Sequence, residues 1–354
     1  MPSTPIWTTN PHHPDPATVD EVAALIRLGK IIAIPTETVY GLAADGLNEA
    51  AVASIFKAKG RPATNPVILH VADRDSARSL SSAWPTFAEQ LTERFWPGPL
   101  TVVVPKAGHV PGIVTAGGST VAIRCPAHAV ARSIIKAVGH PLAAPSANRS
   151  TSLSPTQASH VIAAFDGELD GILDAGPCEV GIESTVVDCT GPRPKILRPG
   201  SISASEIISV VGPIAESTLS IGPARSPGQM RKHYSPKTPI VLVDTPQAAF
   251  DKCLADQSRG VRSKSLGVSD GASMADFQLP ETPQAYAASL YRMLHEIDAG
   301  GDVDRLVVEL PPNTPEWAAI RDRLYKAAGV VPPVFVPPDE RKRQREIKRG
   351  FRGR

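Results

Sequence analysis

Short apolar runs alternate with amphipathic segments along most of the chain, the pattern of an α/β protein in which helices separate the strands of a sheet. Residues 31–34 read as a buried strand that Pro35 ends, and residues 67–71 read as the next, with His70 inside it. Between them Asn48 can cap a helix over residues 49–59, and Gly60 suits the left-handed position that closes it. Further strands are expected at 100–104, 120–124, 142–144, 172–174, 185–188 and 195–197. Ser154 with Pro155 and Gln157, and Ser203 with Glu206, carry capping-box spacing and predict two more helix starts.

The pattern breaks over residues 216–237, a stretch rich in Gly, Ser, Pro and basic residues that reads as an interdomain linker. It then resumes with strands at 240–243, 265–268 and 306–310 and helices near 246–255, 283–298 and 315–328, which implies a small parallel-sheet domain. The expected division is therefore a first α/β domain over 1–215, the linker, a small Rossmann-like domain over 238–332, and a tail over 333–354.

Composition is consistent with two cores: 354 residues, 42% hydrophobic and 20% charged, are ordinary for a globular chain of that size. Proline, at 36 residues, is about twice its usual share and marks many stiff turns. The opening segment has no basic region followed by an apolar core, and no run of about 18 apolar residues occurs, so a cytoplasmic location off the membrane is expected. Cys125, Cys178, Cys189 and Cys253 stand singly, which argues against a disulfide framework or a zinc site, and no protein metal ligand is assigned. The net charge of +2 hides a tail in which residues 341–354 hold eight Lys or Arg against one Glu, leaving the remainder at −5. Such a tail is read as a disordered, solvated terminus that can touch RNA electrostatically.

Candidate chemistry gathers at strand exits. Thr36, Glu37 and Thr38 crowd the turn after residues 31–34, and Lys59 and Arg61 flank Gly60, a compact charge beside a forked one suited to polyphosphate. Ser146 and Asn148 place a hydroxyl and an amide after the strand at 142–144, where open α/β sheets bind ligands. Neither GxGxxG nor GxxxxGK[ST] is present, so a dinucleotide fingerprint or P-loop has no support.

The ordered blocks PTETVYGL, KAKGRPATNP, FWPGPLTVVV, VAIRCP, PLAAPSANRS, SPTQ, GIESTVVD, GPRPKILRPGSIS and SPGQMRKHYSP resemble the threonylcarbamoyl-AMP synthases, in the long form that joins a YrdC-like domain to a C-terminal one. The resemblance implies a YrdC-like twisted open sheet as catalytic domain, followed by a smaller Rossmann-like α/β domain. It implies that ATP, L-threonine and bicarbonate yield threonylcarbamoyl-AMP and pyrophosphate, with Mg²⁺ bound to ATP, as the first step of t⁶A modification at tRNA adenosine 37. Lys59 and Arg61 match the catalytic ATP-phosphate contacts, with Ser146, Asn148 and Arg198 on the same nucleotide. Thr36, His70, Thr120, Arg124 and Ser184 match the threonine pocket, Arg124 as carboxylate partner. His233 and Tyr234 match a lid, and no general base is assigned. The product passes to a tRNA threonylcarbamoyl transferase complex, and the C-terminal domain takes a regulatory or lid-anchoring role by analogy. One departure is Thr151, where many relatives carry glycine: if that position needs positive φ, the turn beyond Asn148 is reshaped. Two rivals share the catalytic fold: a non-catalytic double-stranded RNA-binding or ribosome-maturation factor, and a carbamoyl-adenylate enzyme of the hydrogenase-maturation type, whose extra cysteine-bearing segments are absent here.

Overall fold

The computed structural model describes residues 3–215, 233–269 and 274–331. The first part runs β1 (Ile6–Thr8), α1 (Pro16–Arg27), β2 (Ile32–Ile34), β3 (Gly41–Asp45), α2 (Glu49–Lys59), β4 (Ile68–His70), α3 (Arg74–Ser79), α4 (Thr86–Phe95), β5 (Leu100–Pro105), β6 (Thr120–Arg124), α5 (Ala129–Val138), β7 (Leu142–Ala143), α6 (Ala158–Phe165), β8 (Gly171–Asp174), β9 (Thr185–Asp188), β10 (Lys195–Arg198) and α7 (Ala204–Val211). The second runs β11 (Ile240–Val243), α8 (Pro246–Gln257), β12 (Ser263–Ser269), β13 (Phe277–Pro280), α9 (Pro283–Gly300), β14 (Arg305–Glu309) and α10 (Ala318–Ala327). The whole of the expected tail and the linker up to residue 232 lie outside the described residues.

Two sheets result. Ten strands of mixed direction form the first, in the order β1-β8-β2-β3-β7-β4-β6-β5-β9-β10, and four parallel strands form the second, β11-β14-β12-β13. Strand alternation sorts the large sheet's residues to two faces. Ala33, Leu42, Ala44, Leu69, Val102, Val104, Val121 and Ile123 enter a core with α2, α4 and α6, whereas Ile32, Ile34, Ala43 and Leu142 pack under α1 and α5. Further along that second face the small cluster of Ile68, Val103, Ala122 and Val186 consists of strand residues alone. His70, Arg124 and Ser184 follow the same alternation, so this half of the face forms the floor of a crevice.

Local signals explain several elements. Asn48 accepts hydrogen bonds from the Ala50 and Ala51 amides at the start of α2, and Gly60, at φ 59°, ends that helix in the left-handed region. Ser203 and Glu206 form the reciprocal capping box of α7. The helix start expected at Ser154 is displaced: α6 begins at Ala158, after Gln157. Tertiary partners hold the intervening segment extended, since the Pro155 carbonyl accepts from Tyr40 N–H at 2.9 Å and the Ser154 hydroxyl donates to Glu183.

The second core reaches into the first part of the chain. Val39, Leu153, Ile182 and Tyr234 join the cluster built on α9, α10 and the small sheet. Gly181, at φ 76°, lies so close to α9 that a Cβ there would sit 2.4 Å from the Ala287 carbonyl oxygen, a position open only to glycine. His160 of α6 stacks on His295 of α9, ring centroids 3.8 Å apart. Because α2 presents Lys59 and Arg61, its N-cap is a direct handle on the crevice wall. Asn48→Ala is expected to destabilise the protein by about 1 kcal/mol, read as a lower urea midpoint with unchanged m; an unchanged midpoint would mean water replaces the cap at no loss.

Candidate active site

Chain turns and strand ends converge on one cavity. Thr36 and Thr38 come from the turn after β2, Arg61 from the turn after α2, His70 and Arg124 from the ends of paired strands β4 and β6, and Ser146 from the turn after β7. Glu183 and Ser184 precede β9, Arg198 ends β10, and His233 and Tyr234 complete the lining. The space between them, which opens to solvent, is about 40 Å³, room for two or three waters.

Of the expected nucleotide contacts, Arg61, Ser146 and Arg198 line the cavity, while Lys59 and Asn148 stand behind it. Lys59 is buried, and its Nζ donates to the carbonyls of Ser146 and Asn148 and lies 3.3 Å from Asn148 Oδ1. Burial, then the charges of Arg61 and Arg149, push its pKa well below the ordinary lysine value. Arg61 donates to the carbonyls of Asn65 and Pro66, at 3.0 and 2.7 Å, and burial brings it down to about 10. Arg198 grips Ser184 twice, Nε to the carbonyl at 3.0 Å and Nη2 to the hydroxyl at 3.1 Å.

The remaining wall is mixed in charge. Arg124 Nη2 sits 2.7 Å from Glu37 Oε1 in a buried ion pair, Nη1 donates to Thr38 Oγ1 at 2.7 Å, and Nε donates to the Gly98 carbonyl. Burial raises the Glu37 carboxyl, but Arg124 outweighs it and holds the group ionised below its ordinary value. His70 is brought down to about 3 by burial, then by Arg124, and is therefore neutral at pH 7. Thr36 Oγ1 donates to the Val39 carbonyl and lies 2.9 Å from Thr38 Oγ1. Among the described residues Glu37 Oε2, His70 Nδ1, His233 Nδ1 and Tyr234 Oη are buried without a hydrogen-bond partner. Buried polar atoms are ordinarily satisfied, so the three orphans on lining residues, His70, His233 and Tyr234, mark where a ligand's polar groups belong.

Thr120 is the one expected residue held apart. It shares a sheet face with Arg124 but starts β6, roughly 13 Å along the strand, and does not line the cavity. Sequence reasoning placed Glu37 and Thr38 in the turn after β2 without giving them a role, and passed over Glu183 and Arg323. Glu183 had a signal, an acid inside the otherwise apolar and small-residue GIESTVV run; Arg323 had none, because a helix cation reads as solvent-facing until the fold buries it.

His233 and Tyr234 are both buried, with rings 4.0 Å apart. Tyr234 adopts φ 60°, and the next residue, Ser235, donates its amide to the Thr151 carbonyl at 2.9 Å. Thr151 itself is at φ 72°, so the position at which the resemblance leads one to expect glycine lies in the left-handed region, and a β-branched residue occupies it here.

A family model described as telomere recombination matches residues 24–200, and one described as threonylcarbamoyl-AMP synthase, C-terminal domain, matches residues 202–329. Fold and site thus define a YrdC-type α/β protein with an appended second domain. The chain is 41% identical over 316 residues to the threonylcarbamoyl-AMP synthase of Pyrococcus abyssi, covering 87% of this chain and 93% of that one. Against the Bacillus subtilis protein of the same name it is 40% identical over 322 residues, covering 88% and 93%. The crystal structure of P. abyssi Sua5 complexed with L-threonine matches with TM-score 0.87 at 38% identity, over 92% of this chain and 98% of that one. The chain belongs to the threonylcarbamoyl-AMP synthase family.

Two expectations come from the buried groups. Thr151→Gly is expected to raise stability by up to about 1 kcal/mol, the left-handed strain removed less the added freedom of the unfolded chain; a loss of stability in urea titration would show that the threonine side chain outweighs its strain. His70, His160 and His233 are each brought down to about 3 by burial, from 6.5. Between those values the unfolded chain binds protons that the folded one does not, so stability falls as pH is lowered through the window. Below pH 4.5 the depressed carboxyls of Glu37 and Glu183 add loss of the same sign. Melting temperature is expected to drop steadily from pH 6.5 to 4, and His160→Asn to flatten the profile by about one proton; an unchanged slope would remove His160 from the account.

Proposed function

We propose that this chain condenses L-threonine, bicarbonate and ATP into threonylcarbamoyl-AMP and pyrophosphate. The observation that carries the reading is a charge imbalance. Five buried cations surround or back the cavity, Lys59, Arg61, Arg124, Arg198 and Arg323, and of the buried carboxylates among the described residues Glu37 pairs with Arg124 and Glu183 with Arg323. Lys59, Arg61 and Arg198 are left with carbonyl and hydroxyl partners. Three cations with no carboxylate as hydrogen-bond partner in a low-dielectric wall call for a polyanion such as a triphosphate. Opposite them, the Glu37–Arg124 pair with the Thr36 and Thr38 hydroxyls offers an anion, a cation and hydroxyl partners, a match for a zwitterionic hydroxy-amino acid. A factor that only binds double-stranded RNA needs no such enclosed set.

In this reading the threonine amine adds to the carbon of bicarbonate-derived CO₂ and loses a proton, forming a carbamate. A carbamate oxygen then attacks the α-phosphorus while the bond to the pyrophosphate oxygen breaks. Arg61 and Arg198 neutralise phosphate charge, and Lys59 acts from behind by fixing the Ser146–Asn148 turn; positioning and charge stabilisation supply the acceleration. Mg²⁺ carried on the triphosphate would add charge neutralisation there. His233 and Tyr234, both in the cavity lining, act as a lid that shields the hydrolysable anhydride from water. The catalytic unit spans 1–215, the lid-bearing linker 216–237 and the small domain 238–332. The product is handed to a tRNA-modifying transferase for adenosine 37 in the cytoplasm, and the basic tail contacts RNA; among the described residues no helix is long and apolar enough to cross a membrane.

Pyrophosphate release from Mg²⁺-ATP is expected to require both bicarbonate and L-threonine, with L-serine and L-valine poor substitutes. Arg61→Ala is expected to cut kcat/KM by 10²-fold or more, the order seen when one charge-stabilising donor is removed, and Arg124→Ala to raise chiefly the KM for threonine. Release without threonine dependence would overturn the reading.

A further inference from the structure

Arg323 belongs to α10 of the second part of the chain, yet it is 1% exposed and touches four pieces of the molecule at once. Its Nε donates to Glu183 Oε2 at 2.7 Å, Nη2 donates to the Pro199 carbonyl at 3.1 Å, Nη1 donates to Asp322 at 2.6 Å, and the guanidinium carbon lies 4.9 Å from the centre of the Tyr234 ring. Glu183 lines the cavity, Pro199 directly follows Arg198, and Tyr234 completes the lining. One side chain from the small domain therefore ties together the wall, the strand end that presents a phosphate-facing arginine, and the lid.

The electrostatics give this tie a consequence for the reaction. Glu183 also accepts from Ser154 and faces the Tyr291 hydroxyl at 3.3 Å, but those partners are neutral. Burial raises its carboxyl, and Arg323, then Arg198, hold it down at about 2, so it is an anion in a dry wall with two arginines in range. Take Arg323 away and the remaining cation in range is Arg198. A buried carboxylate stripped of one partner is strongly driven to recruit another, and Arg198, so recruited, is withdrawn from the nucleotide.

Resting on the synthase reading, we propose that Arg323 is a positioning residue for ATP: by satisfying Glu183 it leaves the charge of Arg198 available to the substrate phosphates and seats Tyr234 over the crevice. The small domain thereby completes the nucleotide half of the site.

The test is calorimetric titration of the full-length protein with Mg²⁺-ATP, alongside pyrophosphate release at varied ATP and threonine. Arg323→Gln is expected to weaken ATP at least tenfold and to raise the KM for ATP with little change in that for threonine. Adding Glu183→Gln to it removes the stranded carboxylate and should restore ATP affinity to within about threefold of wild type. Should Arg323→Gln fail to fold, Glu183→Gln alone still decides: with one anion fewer beside the phosphates it should bind ATP at least as tightly as wild type. Unchanged ATP affinity in Arg323→Gln, a double variant as weak as the single one, or tenfold weaker ATP binding by Glu183→Gln would each reduce Arg323 to interdomain glue. Equal loss for ATP and threonine would do the same. Wild-type release that ignores threonine would instead sink the synthase reading, and the ATP titrations would still decide the role of Arg323.

Discussion

Burying several positive charges around one small cavity is the constraint on which the rest of this structure depends. An ion removed from water loses several kcal/mol of solvation unless its surroundings replace that shell. Here the replacement is mostly backbone: Asn65, Pro66, Ser146, Asn148, Ser184, Pro199 and Gly98 all turn a carbonyl toward a lysine or arginine. Carbonyls solvate a cation without cancelling its charge. The wall therefore keeps a net positive field where carboxylate partners would have erased it, and the two carboxylates that are present sit where an arginine is held for another purpose.

That requirement explains the local architecture. Carbonyls are free to point at a ligand or a cation where a helix or strand has ended, which is why the charged side chains come from element ends and the turns after them. The last turn of α2 carries Lys59 at the negative end of the helix dipole, Gly60 reverses the chain in the left-handed region, and Arg61 returns to the wall two residues later. Ser150 N–H bonds the Lys59 carbonyl at 2.9 Å, so the turn after β7 is fastened to the same helix end whose ammonium its own carbonyls solvate. Moving either segment unsolvates the other, which makes the pair rigid without any contribution from a substrate.

Legibility in the sequence follows how local each determinant is. The α2 helix with its Asn48 cap and Gly60 stop, the Ser203–Glu206 box and the parallel small sheet were readable because propensity, capping and period all agree there. Ser154 misled because its hydroxyl serves Glu183, 29 residues away, in place of a helix amide. Strands β1, β3 and β13 escaped: Ile6–Thr8 and Phe277–Pro280 are short and mostly exposed or half-exposed, so they show no period, and Gly41–Asp45 holds no β-branched residue. Among site residues, membership was more legible than rank. Lys59 and Asn148 stand behind the wall and Ser146 faces it, an order set by contacts across some 87 residues of chain. Thr120 shows the limit of family blocks combined with strand parity, which place it on the right face and leave its distance along the strand open.

The second sheet is harder still to read, because its link to the chemistry lies in what it neutralises. Val39, one residue beyond the Thr36–Thr38 turn, and Ile182, next to Glu183, are buried in the core of α9 and α10. Gly181 lets α9 approach to a distance that a side chain would forbid. An appended domain that merely rode on the first would need neither a shared core nor a buried ion pair at the joint. With both present, detaching it would expose apolar surface and leave Glu183 without Arg323 in one event, so the joint between the two sheets and the charge balance of the cavity wall rest on the same contacts.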